Sequence, residues 1–314
     1  MELNQATQQK NSLFHSLLLL LTATVWGVAF VAQSVGMDYV GPLTFVGGRC
    51  VVAVIALTPV LLVSRLHRKK GKTDDIQNKP KDVIVGGFFC GLFLFLGFLC
   101  QQYGMVTTTV SKAGFITSTY VVLVPMLGLF LGRRIGWRIW LAVALALTGL
   151  YYLCMQPGEL RFASGDIMVM VGAVCFTLQI TIIGHYVNKV DGVLLSYMQL
   201  VVCALLGVPS MFIFENPSWS AMVGAFVPII YAGAFSSAIG FTLQIIGQRG
   251  VNPTVASLIM SLESPIAAIA GWLLLGELMS SRELVGSCLM IVAIVLSQLP
   301  KDWLHVKHRK TVKE

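Results

Sequence analysis

Charged residues are scarce in this sequence. Only 11% of its 314 residues are Asp, Glu, Lys or Arg, whereas 56% are hydrophobic and the mean hydropathy is +0.80. Soluble globular domains carry about 25% charged residues, so this composition excludes that class. Apolar runs of about 20 residues, each long enough to cross a hydrocarbon core of about 30 Å as a helix, recur along almost the whole chain. The composition is that of a membrane protein.

Several chemical motifs are also missing. The seven cysteines lie singly in or at the ends of apolar runs, without a C-x-x-C pair, which favours buried packing thiols. The five histidines lie at predicted helix ends or in exposed segments, so neither a metal site nor a midplane imidazole relay is expected. A phosphate-binding loop with its Lys-Ser/Thr pair is absent, which argues against ATP hydrolysis. No cofactor is expected.

Ten apolar segments are long enough to be membrane spans. We predict them at 13–34, 42–64, 83–104, 110–131, 136–154, 165–187, 192–214, 222–247, 253–275 and 282–299. The first has no A-x-A cleavage site, so it is predicted to be a mature span and not a signal peptide. The loops outside 65–82 are short, and consecutive helices are therefore expected to be antiparallel neighbours.

The formal net charge of +8 is concentrated beside the predicted spans, mostly at 65–82 and 301–314. With a cytoplasmic N-terminus, eighteen of the 22 basic residues fall on the cytoplasmic side and three on the opposite side. This bias predicts a multi-pass protein of the plasma (inner) membrane with both termini in the cytoplasm and a basic cytoplasmic tail at 300–314. It also accounts for the charge without a nucleic-acid partner.

The chain resembles itself at two places. "RCVVAVIALTP" (49–59) is similar to "QLVVCALLGVP" (199–209), and "LGLFLGRRIGWRIWLA" (127–142) is similar to "GWLLLGELMSSRELVG" (271–286). Each half then holds five spans, and an odd number inverts the second copy relative to the first. The predicted fold is an all-α membrane protein with ten transmembrane helices in two inverted-topology five-helix repeats. The predicted repeats are residues 13–154 and 165–299.

Four stretches resemble the drug/metabolite transporter superfamily, specifically its EamA-type ten-helix transporters. They are Trp26-Gly27, Arg49 with the small residues after it, "KAGFITSTYVVLVPM" (112–126) and "ASLIMSLESPIAAIAGWLLLGE" (256–277). The resemblance implies ten helices, two inverted halves and the movement of small organic solutes, often outward from bacterial cells. Family members handle amino acids, amines, nucleobases, vitamins or drugs, so the resemblance implies no single substrate.

Two charged residues lie deep inside predicted spans. Glu263 is predicted to lie about 15 Å deep and Arg49 about 11 Å below the opposite face. An intramembrane carboxyl indicates a functional site, where Glu263 could bind an amine-bearing solute or exchange a proton, or could instead fix helix packing. Arg49 could pair with Glu263, bind free carbonyls or bind an anionic group of the solute, and we favour a structural or gating role.

Two prolines and a set of polar and aromatic side chains complete the candidate site. Pro265 is predicted to leave the carbonyls near residues 261 and 262 free to face a cavity, and Pro125 could do the same in span 4. The candidate cavity-wall residues are Trp26, Gln101, Gln102, Thr119, Tyr120, Gln179 and Gln244. Each could equally serve as a packing or interhelical hydrogen-bonding group.

These features predict a secondary transporter that carries a small organic metabolite, such as an amino acid or amine-like compound, across the bilayer by alternating access. Export is the expected direction, on the resemblance alone, and protons are a candidate coupling ion. A nucleotide-sugar or vitamin carrier is an alternative within the same superfamily. An intramembrane enzyme is less favoured because the chain shows one isolated membrane acid, and a non-transporting scaffold is the remaining alternative.

Overall fold

The computed structural model describes residues 2–69, 78–108, 110–154, 163–275 and 280–298. Its helices are α1 (Glu2–Met37), α2 (Pro42–Lys69), α3 (Pro80–Met105), α4 (Val110–Ser118), α5 (Tyr120–Phe130), α6 (Trp137–Cys154), α7 (Ser164–Tyr186), α8 (Gly192–Phe214), α9 (Trp219–Gly224), α10 (Phe226–Ile230), a π-helix (Tyr231–Gly240), α11 (Phe241–Gln248), α12 (Pro253–Met260), α13 (Glu263–Leu275) and α14 (Ser281–Gln298). None of the described residues forms a strand. The predicted basic tail at 300–314 lies outside the described residues.

The helices agree with the predicted all-α membrane fold. Among the described residues, eight helical stretches are long and apolar enough to cross a membrane, and Trp137–Tyr152 is a shorter apolar helix. Three of the eight are assembled from consecutive helices, namely α4–α5, the stretch from α10 through the π-helix to α11, and α12–α13. The helix α14 occupies the tenth predicted segment.

The helix contacts follow a two-fold pattern. The first segment, α1, packs on the α10–π–α11 segment, and its counterpart α7, the sixth segment, packs on α3. The helix α1 also contacts α12–α13, and α7 correspondingly contacts α4–α5. In the same way, α2 contacts the π-helix and α8 contacts α3. Two contacts join a helix to its own counterpart in the other half, namely α2 with α8 and α6 with α14. Such a pattern is what two related five-helix halves produce.

The centre of the bundle lies where these halves meet. Leu94, Phe98, Phe176, Leu200 and Phe241 belong to one buried apolar cluster, to which α2, α3, α7, α8, the π-helix and α11 contribute. Beside it, α2 and α8 approach closely, since a Cβ atom added to Gly207 would lie 3.2 Å from the Cα atom of Gly47. Small residues permit this approach, which lets the two halves share one interior.

The fourth and ninth segments are both interrupted, at Thr119 and at residues 261–262. The prediction that Pro265 frees the carbonyls of residues 261 and 262 is wrong: the Ser261 carbonyl accepts from the Ser264 amide at 3.2 Å, and the Leu262 carbonyl accepts from the Ile266 amide at 3.1 Å. Pro265 lies in the first turn of α13, where a helix needs no N–H donor. Pro125 lies inside α5, which continues through it.

Candidate functional site

A cavity lies between the two halves, among α1, α2, α3, α7, the π-helix, α11 and the two interrupted segments. Its empty volume is about 460 Å³, including open space at its edge. The aromatic side chains that line it are Trp26, Phe30, Phe98, Phe176 and Phe241. The polar and charged ones are Gln33, Arg49, Gln101, Thr117, Tyr120, Gln179, Ser236, Gln244 and Glu263.

The structure gathers most of the candidate residues around this one space. Seven of them line it, namely Trp26, Arg49, Gln101, Tyr120, Gln179, Gln244 and Glu263. Thr119 does not line it: its hydroxyl donates to the Ile116 carbonyl at 2.5 Å, within the interruption of the segment, and Thr117 lines the cavity instead. Gln102 is buried outside the lining, where its Nε2 donates to the Gln33 carbonyl at 3.5 Å.

Glu263 is the first residue of α13 and is only 3% exposed. Its Oε1 accepts from the Tyr120 hydroxyl at 2.9 Å and, more weakly, from the Ser118 hydroxyl at 3.5 Å. The unpaired amides at a helix N-terminus also favour a negative charge there. Ser118 lies 2.7 Å from the Ser264 hydroxyl, which donates to the Gly114 carbonyl at 3.1 Å. The Oε2 atom of Glu263 accepts no hydrogen bond from the described residues.

Arg49 is 1% exposed and is held by neutral groups. Its Nε donates to Ser237 Oγ at 3.1 Å and its Nη2 to Ser236 Oγ at 3.1 Å. Its Nη1 donates to Gln33 Oε1 at 3.3 Å, and its guanidinium carbon lies 4.0 Å from the centre of the Phe98 ring. These hydrogen bonds and the cation–π contact fix the guanidinium plane but provide no negative charge.

Arg49 and Glu263 do not neutralise each other. Both line the cavity, yet among the described residues no ion pair joins them. Each charge is instead anchored by its own set of neutral hydrogen-bonding groups. A buried charge without a counter-ion is unfavourable, so each of these two side chains is suited to bind a group of opposite charge.

The π-helix gives the Arg49 side of the cavity its shape. It carries Ser236 and Ser237, and the Ser236 carbonyl accepts from Trp26 Nε1 at 3.1 Å. The Tyr231 hydroxyl, at its beginning, donates to the Val25 carbonyl at 3.3 Å. The wider turn of a π-helix, a feature frequent at functional sites, thus joins α1 and α2 to the second half. Ser236 and Ser237 were not among the predicted site residues. The sequence signal for them is two adjacent serines within an apolar predicted span.

Three glutamine side chains form another part of the site. Gln179 and Gln244 exchange hydrogen bonds, with Nε2 of each donating to Oε1 of the other at 3.3 and 3.2 Å. Gln179 Nε2 also donates to Gln199 Oε1 at 3.1 Å, whereas the buried Nε2 of Gln199 has no partner among the described residues. These bonds tie α7, α8 and α11 together beside the cavity, which Gln179 and Gln244 line and Gln199 does not.

Comparison with protein families gives a match to both halves of the chain. The model described as the EamA-like transporter family matches residues 13–155 and again residues 163–299. The chain belongs to the EamA-like transporter family. The match to both halves agrees with the two-fold helix contacts. The protein is therefore a multi-span membrane protein of a transporter family.

Relatives of this EamA-like transporter match along most of its length. An "Uncharacterized transporter" of Archaeoglobus fulgidus is 27% identical over 288 residues, covering 91% of this chain and 86% of the relative. A "Probable terminal-alkyne amino-acid exporter" of Streptantibioticus cattleyicolor is 27% identical over 290 residues, covering 88% and 91%. The "Uncharacterized inner membrane transporter YedA" of Escherichia coli K12 is 23% identical over 284 residues, covering 88% of each. Their names are those of transporters and not of enzymes.

A solved structure supports the fold of the EamA-like chain. This crystal structure, described only as that of a protein, has a TM-score of 0.73 and covers 95% of this chain and 99% of its own. Its sequence identity is 15%, so the likeness concerns the fold alone. Within the described residues, no three His, Cys, Asp or Glu side chains lie together as a metal site would require.

Proposed function

We propose that the protein is a secondary transporter that carries an amino acid or amine-like solute across the inner membrane by alternating access, with export as its direction. The observation that carries the proposal is the separate anchoring of Glu263 and Arg49 on one buried cavity. Glu263 binds the ammonium group through its Oε2, which accepts no hydrogen bond from the described residues. Arg49 binds the carboxylate of an amino acid, and both termini lie in the cytoplasm.

The electrostatics favour a zwitterion over a solute with one charge. Each of the two side chains is nearly inaccessible to water, and a solute with both charges compensates both at once. The guanidinium has five N–H groups, of which three have partners among the described residues, so donors remain for a carboxylate. The name of the Streptantibioticus relative, a probable amino-acid exporter, supports the same class of solute.

Proton coupling follows from the chemistry of Glu263. A carboxyl group in a cavity that opens alternately to the two sides can hold either a proton or an ammonium group, and both at once are unfavourable. The Tyr120 and Ser118 hydroxyls lie beside Oε1, at 2.9 and 3.5 Å. Exchange of one for the other links solute export to proton entry.

The aromatic wall favours a second candidate, a carrier of vitamins or nucleotide sugars. Trp26, Phe98 and Phe241 offer faces for a planar ring, and Trp26 and Phe241 lie 4.7 Å apart between ring centres. The carboxylate of Glu263 opposes a diphosphate, which makes this candidate the weaker one.

Purified protein in liposomes tests the proposal. A thermal-shift screen with amino acids, amines, vitamins and nucleotide sugars selects ligands, and flux of each radiolabelled ligand is then measured with and without a pH gradient. We expect saturable flux of an amino acid or amine that the gradient accelerates. Flux confined to vitamins or nucleotide sugars, chemical conversion of the solute, or the absence of flux for every ligand would contradict the proposal.

A further inference from the structure

We infer that the cluster of Gln179, Gln199 and Gln244, called the amide floor below, is a specificity site for a neutral hydrogen-bond acceptor on the far end of the solute. This inference rests on the proposed transport function and specifies its substrate class. The solute is an amino acid whose side chain ends in a carbonyl or carboxamide group.

The first support is a set of unused donors. Three primary amides carry six N–H groups and three carbonyl oxygens, each oxygen with two acceptor lone pairs. The described contacts use three of the six, two from Gln179 and one from Gln244. Rotating any of the amides by 180° exchanges oxygen for nitrogen but does not change the number of N–H groups in the cluster.

The second support is the burial of these donors. Gln179 is 1% exposed, and Gln199 and Gln244 are fully buried. A buried donor without an acceptor is costly, and the Nε2 atom of Gln199 has none among the described residues. Gln244 lines the cavity and its Nε2 uses one of two N–H groups in the described contacts, so a donor is available where a solute would lie.

The third support is position. Gln244 follows Ser237, which binds Arg49, by seven residues on the same membrane segment, a separation of up to about 10 Å along a helix. The amide floor and the Arg49 side are therefore at different depths of the cavity. One group of the solute cannot occupy both, so the floor faces a second group.

The wall between the two ends is apolar. Phe176 precedes Gln179 by three residues on α7, and Phe241 precedes Gln244 by three residues on α11, so each amide lies on the same helix face as an aromatic ring that lines the cavity. This order of aromatic wall and amide floor fits a side chain with methylene groups and a terminal acceptor.

Binding of a matched pair of amino acids tests the inference. L-Glutamine and L-homoleucine have side chains of the same shape, but only glutamine ends in an acceptor. Using the full chain in nanodiscs, we expect glutamine to bind about tenfold more tightly than homoleucine, the effect of one buried hydrogen bond to an otherwise unsatisfied donor.

Variants of Gln244 test whether its N–H groups cause the preference for glutamine. We expect Gln244→Leu and Gln244→Met, each of which removes the N–H donors, to bring the affinity ratio to about one. Gln248→Leu is the matched control: Gln248 lies one turn later on α11, outside the cavity lining, with its Nε2 on the Ile180 carbonyl. The control should keep the wild-type ratio. Because the measurement is a ratio on one preparation, it does not depend on the fraction of folded protein.

The outcomes distinguish this inference from the function beneath it. Equal binding of both amino acids by the wild-type chain, tighter binding of homoleucine, or an equal loss of both in Gln244→Leu would overturn the amide floor and leave amino-acid transport standing. Failure of every amino acid to bind would overturn both.

Discussion

The two halves of the molecule have corresponding helix contacts but differ in their charges. At the offset of the first internal similarity, Arg49 corresponds to Gln199, and at the offset of the second, Glu263 corresponds to Thr119. The fourth segment is interrupted at Thr119, and the ninth is interrupted at residues 261–262, just before the position that corresponds to Thr119. Only the ninth continues with a carboxyl group on the cavity. The repeat therefore provides two similar scaffolds, and each half adds one charge of opposite sign.

The residues that make the two halves similar are therefore not the residues that give the cavity its charges. A symmetric pair of carboxyl groups, or of guanidinium groups, would place like charges in one dry cavity, which is strongly unfavourable. One charge of each sign avoids that penalty and gives the cavity one positive and one negative side chain.

The largest expected effect belongs to Glu263→Gln, which removes the carboxyl charge and retains the shape. We expect gradient-driven flux to fall at least about 100-fold, since a buried charge that binds the solute ammonium contributes about 2–5 kcal/mol. Flux of the best ligand into liposomes with and without a pH gradient measures it. The matched control is Glu283→Gln, an acid in the first turn of α14 whose carboxylate accepts from the Ser280 amide. Unaltered gradient-driven flux in the Glu263 variant would remove this residue from the mechanism.

Arg49→Gln makes the first half resemble the second at this position. We expect affinity for an amino acid to fall about 30-fold, because a charged hydrogen-bond donor to the carboxylate is lost, whereas the affinity for the decarboxylated amine of the same amino acid changes less than about threefold. Paired binding measurements with the two ligands give the answer.

Arg49→Lys is the control for charge against geometry, since lysine keeps the charge without the planar fork that bonds Ser236, Ser237 and Gln33. An intermediate loss is expected for it. If Arg49→Gln weakens amine and amino acid equally, Arg49 has the structural or gating role that the sequence favours and does not bind the solute.

Tyr120→Phe tests the support of the carboxyl group. Removal of the 2.9 Å hydrogen bond to Glu263 Oε1 should weaken binding of the solute about tenfold, since hydrogen bonds to charged groups contribute about 1.5–3 kcal/mol. Tyr231→Phe removes a tyrosine hydroxyl that bonds the Val25 carbonyl and not Glu263, and binding should change less than about twofold. The same loss in both variants would mean that the effect comes from packing. Isothermal titration with purified protein compares them.

The sequence predicted the residues of the cavity better than their geometry. Polar groups in apolar spans are rare enough that Arg49, Tyr120, Gln179, Gln244 and Glu263 could be selected by composition alone, and the structure brings all five to one cavity. Whether Arg49 meets Glu263 depended on the rotation of each helix about its axis, which periodicity does not define in a span that is apolar on most faces.

The interruptions were the other limit. The prolines indicated bent segments, but the actual breaks precede them, and the choice of Thr117 over Thr119 as a lining residue depends on where the helix phase changes. The π-helix has the same effect in the eighth segment, because one extra residue per turn leaves no mark on composition. Such local departures from the regular helix are decided by tertiary contacts, here those of Trp26 and Arg49.

The smallest expected effect belongs to Thr119→Val, at the position that corresponds to Glu263. The Thr119 hydroxyl bonds its own segment at the Ile116 carbonyl and does not line the cavity. Flux should therefore stay within about twofold of wild type, while the variant loses about 1 kcal/mol of stability with its hydrogen bond. Flux in liposomes and thermal unfolding of the purified variant measure the two quantities. A loss of flux approaching that of Glu263→Gln would show that both halves, and not one, provide the coupling group, and the asymmetry between them would then reside in Arg49 alone.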